Sequence, residues 1–300
     1  MNTPTRQPLD TRAVVLMIVL CLIWGVQQSL MKSIASDIPP FMQLTIRFLG
    51  AALVFGSLAL AREGLKAFAD GTLASGSILG LMFAAEFVCV GQAVAHTTSA
   101  HTTAFLYSAP IFTALGVQIF PEERLSTSQW VGIFIAFAGI GCAFLGYTGK
   151  PLTEMITGDL YALLGGAFWG LSTIWLRRTR IGKAQAHKTI FYQVSAATFV
   201  TGAYAVGLDQ TDMHWNVRAV VSMVYQTVAI GILSYFGWFW LLRHYLTSRL
   251  MLFSLLTPLF AVVAGRVFLG EIIEPSFLVG TVMVLVGILA VNARQIFQRL

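Results

Sequence analysis

Glu86 is the residue best placed to do chemistry in this sequence. It stands in Met82-Phe83-Ala84-Ala85-Glu86-Phe87, halfway along an apolar run. A carboxylate at such a site can pair with an ammonium group or take up a proton. It can equally be a structural acid bonded to a neighbouring helix. Arg47 lies in the first third of another apolar run and could hold a carboxylate or pair with Glu86. Such residues more often snorkel or tie helix ends together, and structure is the favoured reading. His96 and His101 flank a short break and read as capping or packing residues.

Aromatic and small polar residues form stripes at helical spacing. Trp24, Gln28 and Met31 share one face; Thr103, Tyr107 and Pro110 share another. Further stripes are Trp169, Ser172 and Thr173; Ser234, Tyr235 and Trp238; and Ser254, Thr257 and Pro258. Trp24, Trp169 and Trp238 lie near mid-run, whereas Trp175, Trp215 and Trp240 sit where interfacial belt residues sit. Stripes of this kind suit the walls of a largely apolar small-molecule cavity. For any single ring, helix packing is an equally good explanation. Pro110 and Pro258 fall at equivalent mid-run positions, where each would bend its helix and could act as a hinge.

No phosphate loop, zinc motif or nucleophile elbow occurs, so neither catalytic residues nor a metal or cofactor are expected. Cys21, Cys89 and Cys142 lie in apolar runs at no ligand spacing and read as packing residues.

The elements that must position these groups follow from composition. The 300 residues are 57% hydrophobic and 11% charged, where a soluble domain carries about 25% charged residues. Lipid is the solvent that suits such a chain. The net charge of +6 does not point to nucleic acid, because the basic residues sit at the ends of apolar runs. The first run, Ala13 to Met31, is longer than a signal-peptide core and contains Trp24, Gln27 and Gln28; it reads as a retained span.

A helix needs about 20 apolar residues to cross the hydrocarbon. That template gives ten spans, at 13–33, 41–61, 76–95, 99–119, 128–147, 157–176, 187–207, 217–242, 247–268 and 276–295. Thr97, Thr98 and Ser99 are good N-caps for the fourth. With the N-terminus inside, fourteen Lys and Arg fall on inside segments and four on outside ends. The asymmetry places both termini in the cytoplasm. Asp159 reads as a charge favoured by a helix N-terminus, and Arg266 as a snorkelling anchor.

The chain also repeats itself. At an offset of 148, Phe105, Pro110, Glu123, Gly132 and Gly139 fall on Phe253, Pro258, Glu271, Gly280 and Gly287. An offset of 145 sets Trp24-Gly25 on Trp169-Gly170. Residues 1–147 and 148–300 therefore read as two halves of five helices. Five is odd, so the second half enters the membrane upside down. Inverted repeats are typical of secondary transporters, whose substrate lies between the halves. With no nucleotide site in the chain, uphill movement would draw on a gradient. Glu86 and His101 are the groups able to bind a coupling proton.

Specific motifs carry a resemblance. Ser99-Ala100, Ser108-Ala109-Pro110-Ile111-Phe112, Glu123, Gln129-Trp130-Val131-Gly132 and Ala138-Gly139-Ile140 occur in order. Leu256-Thr257-Pro258-Leu259-Phe260, Gly270-Glu271 and Gly280 through Gly287 repeat that order. Together with Trp24-Gly25 and Arg47 they resemble the EamA family of the drug/metabolite transporter superfamily, over essentially the whole chain. The resemblance implies an all-α, ten-helix inverted-repeat protein of a bacterial inner membrane. It also implies export of small metabolites, often amino acids, and is nearest in kind to the YddG-type amino-acid exporters. A cavity like the family's would be lined by Trp24, Glu86, Tyr107, Trp169, Tyr235 and Trp238, and Gln28 joins them from its stripe. Glu123 and Glu271 match the family Glu and read as structural. Glu86 is not part of that pattern, so its role rests on its depth alone. A lipophilic-cation exporter, an intramembrane lipid enzyme and a channel remain as alternatives.

Overall fold

The structure, a computed structural model, describes residues 10–64, 70–119, 126–144, 151–245, 250, 254 and 256–297. The described chain is almost wholly helical. Helices α1 (Thr11–Ser33), α2 (Pro40–Glu63) and α3 (Leu73–His96) come first, followed by two short helices, α4 (Ser99–Leu106) and α5 (Ala109–Gly116). Then come α6 (Thr127–Phe144), α7 (Leu152–Arg178) and α8 (Ala186–Gly207). A bent run follows, in which α9 (Val217–Val224) passes through a π-helical stretch, Tyr225–Ser234, into α10 (Tyr235–His244). The last two are α11 (Thr257–Leu269) and α12 (Pro275–Phe297).

Local chemistry sets the ends. Asp10 caps α1 by accepting from the Ala13 amide at 2.8 Å. Thr98 caps α4 by accepting from the His101 amide at 3.1 Å, in the segment expected to supply a cap. Gly270 ends α11 with φ of 66°, the left-handed geometry that glycine adopts freely.

Among the described residues, four helical stretches are long and apolar enough to cross a membrane, namely Thr11–Ser33, Pro40–Glu63, Leu73–His96 and Val217–Trp238. Shorter apolar segments run from Trp130 to Cys142, Thr257 to Leu269 and Pro275 to Gly287. Large apolar side chains such as Leu53, Phe134, Phe199 and Val267 face outward. Water would penalise that perimeter, whereas lipid suits it.

Two expected spans differ in detail. The 99–119 span is two helices, because the chain breaks at Tyr107-Ser108. Pro110 has no N–H and falls in the first turn of α5, where an amide would lack a partner anyway. Pro258 likewise lies in the first turn of α11, not in mid-helix. Pro110 therefore opens a helix after the break at Tyr107-Ser108, and Pro258 sits at the start of the described part of its own. Most residues of 246–256 lie outside the described set, and so does Glu123.

Close contacts obey a two-fold exchange. A Cβ on Gly139 would stand 2.7 Å from the Gly280 carbonyl, and one on Gly287 would stand 2.5 Å from the Gly132 carbonyl. A Cβ on Gly25 would meet Phe260 Cβ at 2.6 Å and the Ala261 amide and Thr257 carbonyl at 3.0 Å. One on Gly170 would meet Phe112 Cβ and the Ala109 carbonyl at 2.9 Å and the Thr113 amide at 3.0 Å. Both sets pair residues related by the offsets found in the sequence. Consequently α1 packs on α11 and α7 on α5, while α6 and α12 lie together along their length.

Candidate substrate site

The predicted site residues fall into two neighbouring groups. Trp24 on α1 donates its indole N–H to Ser234 Oγ at 3.0 Å. Its ring meets Trp238 edge to face at 5.6 Å. Trp169 on α7 meets Tyr107 edge to face at 5.2 Å, with an interplanar angle of 89°. Tyr235 contacts Phe55 at 6.5 Å. Trp169 and Tyr235 pack against the large core built from α2, α3 and α8; Trp24 and Trp238 pack against the cluster around Met17, Leu20 and Leu241. Helical spacing fixes the faces, and the break at Tyr107-Ser108 places Tyr107 at the joint between α4 and α5.

Glu86 is 5% exposed and Arg47 is 1% exposed. Among the described residues Glu86 makes no hydrogen bond or ion pair. Arg47 Nε, Nη1 and Nη2 also have no hydrogen-bond partner. The guanidinium lies 4.7 Å from the Phe48 ring centre and 5.0 Å from that of Phe87. It interacts electrostatically with Glu86 and Tyr235. Glu86 also lies near Tyr107 and Cys89, and its backbone carbonyl stands 3.4 Å from where a Cβ on Gly165 would sit. That close approach sets α7 against α3, one turn before Trp169. Arg47 does not snorkel, contrary to the structural expectation, because it is eight residues into α2 and fully enclosed.

Gln28 is buried and its Oε1 has no partner. It lies one turn beyond Trp24 on α1. A small cavity is lined by Phe105, Tyr107, Pro258 and Thr281, among others.

Charged residues gather at the two ends. Glu271 Oε1 accepts from the Ser99 amide at 2.7 Å, and Oε2 from Ser99 Oγ at 2.9 Å and the Ala100 amide at 3.3 Å. Lys32 donates to the Thr97 carbonyl and lies 3.7 Å from Glu271. Asp159 is fully buried and stands eight residues into α7, beyond the helix N-terminus where its charge was expected. It accepts from Thr97 Oγ1 at 2.6 Å and faces His101 Nδ1 at 2.9 and 3.0 Å. The His101 ring stacks on Phe277 at 4.1 Å. His101 thus partners Asp159 and makes no contact with Glu86. At the opposite end, Tyr245 donates to Asp10 at 2.9 Å. Lys188 meets Asp70 there at 2.5 Å, and Trp175 donates to the Ser75 carbonyl at 2.9 Å. Trp175 is therefore a packing residue rather than a simple belt residue.

Sequence reasoning placed Ser234 on a candidate stripe but missed Gln43 and Gln226. Gln226 donates to Gln43 Oε1 at 2.8 Å, inside the π stretch. π-Helical turns often mark functional sites. No residue-level pattern announces one, although small residues at 231 and 234 permit it.

The EamA-like transporter family model matches residues 11–145 and again 156–293. The chain belongs to the EamA-like transporter family. Relatives of this EamA protein agree over nearly full length. The uncharacterized transporter YvbV of Bacillus subtilis is 22% identical, covering 98% of this chain and 96% of that protein. An uncharacterized transporter of Archaeoglobus fulgidus is 24% identical over 90% of this chain and 96% of its own. A probable amino-acid metabolite efflux pump of Salmonella typhimurium is 24% identical over 91% and 92%. A solved crystal structure shares the fold at a TM-score of 0.64 and 17% identity, over 96% of this chain and 98% of that one. The EamA protein is thus a multi-pass membrane transporter, with a small molecule as the expected cargo.

Proposed function

We propose that this EamA protein exports amino acids or closely related metabolites across the bacterial inner membrane by alternating access. The observation that carries the reading is the buried, unpaired Glu86 set among aromatic side chains from several helices. Trp24, Trp169, Tyr107, Tyr235 and Trp238 supply apolar walls, Gln28 an acceptor, and Glu86 a contact for the amino group. The Salmonella relative, a probable amino-acid metabolite efflux pump, supports the substrate class.

The fold reading that accompanies this is ten spans in two inverted halves, residues 1–147 and 148–300, with both termini cytoplasmic. The reciprocal glycine contacts of α6 with α12, and of α1 and α7 with the prolyl helices, support the two-fold relation. Pro110 and Pro258 open the half-helices where the halves would flex. The Lys32–Glu271–Ser99 and Thr97–Asp159–His101 contacts bind one end shut and must part when that end opens. His101 and Glu86 are the groups able to carry a coupling proton.

Counterflow of labelled amino acids in proteoliposomes tests this directly. Unchanged transport in both Glu86→Ala and Trp169→Ala would overturn the site. A second reading, export of lipophilic cations, rests on the same carboxylate beside aromatic faces. It predicts Glu86-dependent resistance to toxic cations without amino-acid counterflow.

A further inference from the structure

Arg47 has a need that the helices around it do not meet. A buried guanidinium offers five N–H donors. Here none of its nitrogens has an acceptor, and the side chain is 1% exposed. The rings of Phe48 and Phe87 provide cation–π attraction but no acceptor. Leaving such a charge unanswered in the interior is costly.

Glu86 is the evident internal partner, and yet the two are not joined. A structural pair of this kind normally closes to a bidentate contact. Among the described residues Glu86 instead keeps its whole hydrogen-bonding capacity, while lying within electrostatic reach of Arg47. An acid and a base are thus held near each other with neither engaged in a hydrogen bond.

We infer that Arg47 and Glu86 are the two poles of a zwitterion site, Arg47 taking the carboxylate and Glu86 the ammonium of one α-amino acid. The inference rests on the exporter reading above and narrows its substrate class. A simple amine or lipophilic cation would leave Arg47 unanswered, and a simple anion would leave Glu86 unanswered. The apolar remainder of the ligand would lie toward Tyr235, which stands within electrostatic reach of Arg47 and faces Phe55.

The guanidinium is enclosed in this conformation. A Cβ on Gly231 would lie 3.3 Å from Arg47 Cγ, so the π stretch presses on the arginine stem. Ligand reaches Arg47 when that stretch moves off α2.

The test compares phenylalanine with phenylalaninamide, which lacks the carboxylate, and N-acetylphenylalanine, which lacks the ammonium. Affinity is measured on purified protein by equilibrium dialysis, with melting temperature recorded alongside. Wild type should prefer phenylalanine over either analogue by about tenfold or more, the size expected for one charge-assisted contact. Arg47→Gln should reduce phenylalanine to the level of the amide and leave amide affinity unchanged. Arg47→Lys should restore part of the preference. Glu86→Gln should abolish the preference over the N-acetyl analogue alone. Ligand-free Arg47→Gln should melt no lower than wild type, because it removes an unanswered buried charge. The inference fails if Arg47→Gln keeps the carboxylate preference. It also fails if the variant weakens all three ligands equally and melts lower, which is the signature of an internal structural pair. Wild-type protein that binds phenethylammonium but none of the three probes overturns the exporter reading and this site with it.

Discussion

Glu271 shows how much one side chain can hold in place here. Its carboxylate receives the Ser99 amide, the Ser99 hydroxyl and the Ala100 amide, and so caps the start of α4 from a turn 172 residues away in sequence. Helix N-termini favour negative charge, and the cap satisfies amides that α4 leaves unpaired. Glu271→Ala should lower unfolding free energy by about 1.5–3 kcal/mol; Glu271→Gln, which keeps an acceptor oxygen, should lose less. Melting curves in detergent check both. Asp70 plays a comparable part at the opposite end, where Lys188 and Thr72 hold its carboxyl down to a pKa of about 2. Its contribution is complete above the ordinary carboxylate value of about 4, and it fades as pH falls through the folded value. The melting difference between wild type and Asp70→Asn should therefore be constant from about pH 5 to 8 and shrink in stronger acid. A difference that instead grows on acidification would refute the pairing.

Among the elements, α6 and α12 depend on the absence of side chains at two positions. Gly139 and Gly287 bring each helix against the other's backbone, the close approach that small residues allow in lipid. Gly139→Val should cost about 1–3 kcal/mol through overpacking. Gly141→Val should be near neutral, because a Cβ on Gly141 meets nothing within 4 Å. A Gly139→Val protein that melts like wild type would refute this packing. The glycine pattern was legible in the sequence as an offset, since identical spacing recurs in both halves. The π stretch from Tyr225 to Ser234 was not. Its hydropathy is that of any span, and the contacts it makes with Arg47 and Gln43 of α2 lie far off in the sequence.

Across the whole molecule, the contacts sort the charged ends consistently. Asp37, Lys32, Asp159 and Glu271 bind partners at one end; Asp10, Asp70 and Glu63 bind theirs at the other. With the termini cytoplasmic, a cysteine replacing exposed Arg218 should react with an impermeant reagent in intact cells. One replacing Lys183 should react only after lysis. Reversal of that pattern would invert the topology.

The sequence by itself determined the membrane setting, the order of apolar runs and the duplicated spacing. Hydrophobic length and offset are properties of a line of residues, and they need no knowledge of neighbours. Only the tertiary structure decided that Asp159 is buried with His101, that Glu271 caps a distant helix, and that Pro110 opens a helix instead of bending one. It alone decided that Arg47 is enclosed and unanswered beside Glu86. Burial and pairing belong to groups far apart in the chain, whose charges meet only after α2, α3 and the π stretch have packed.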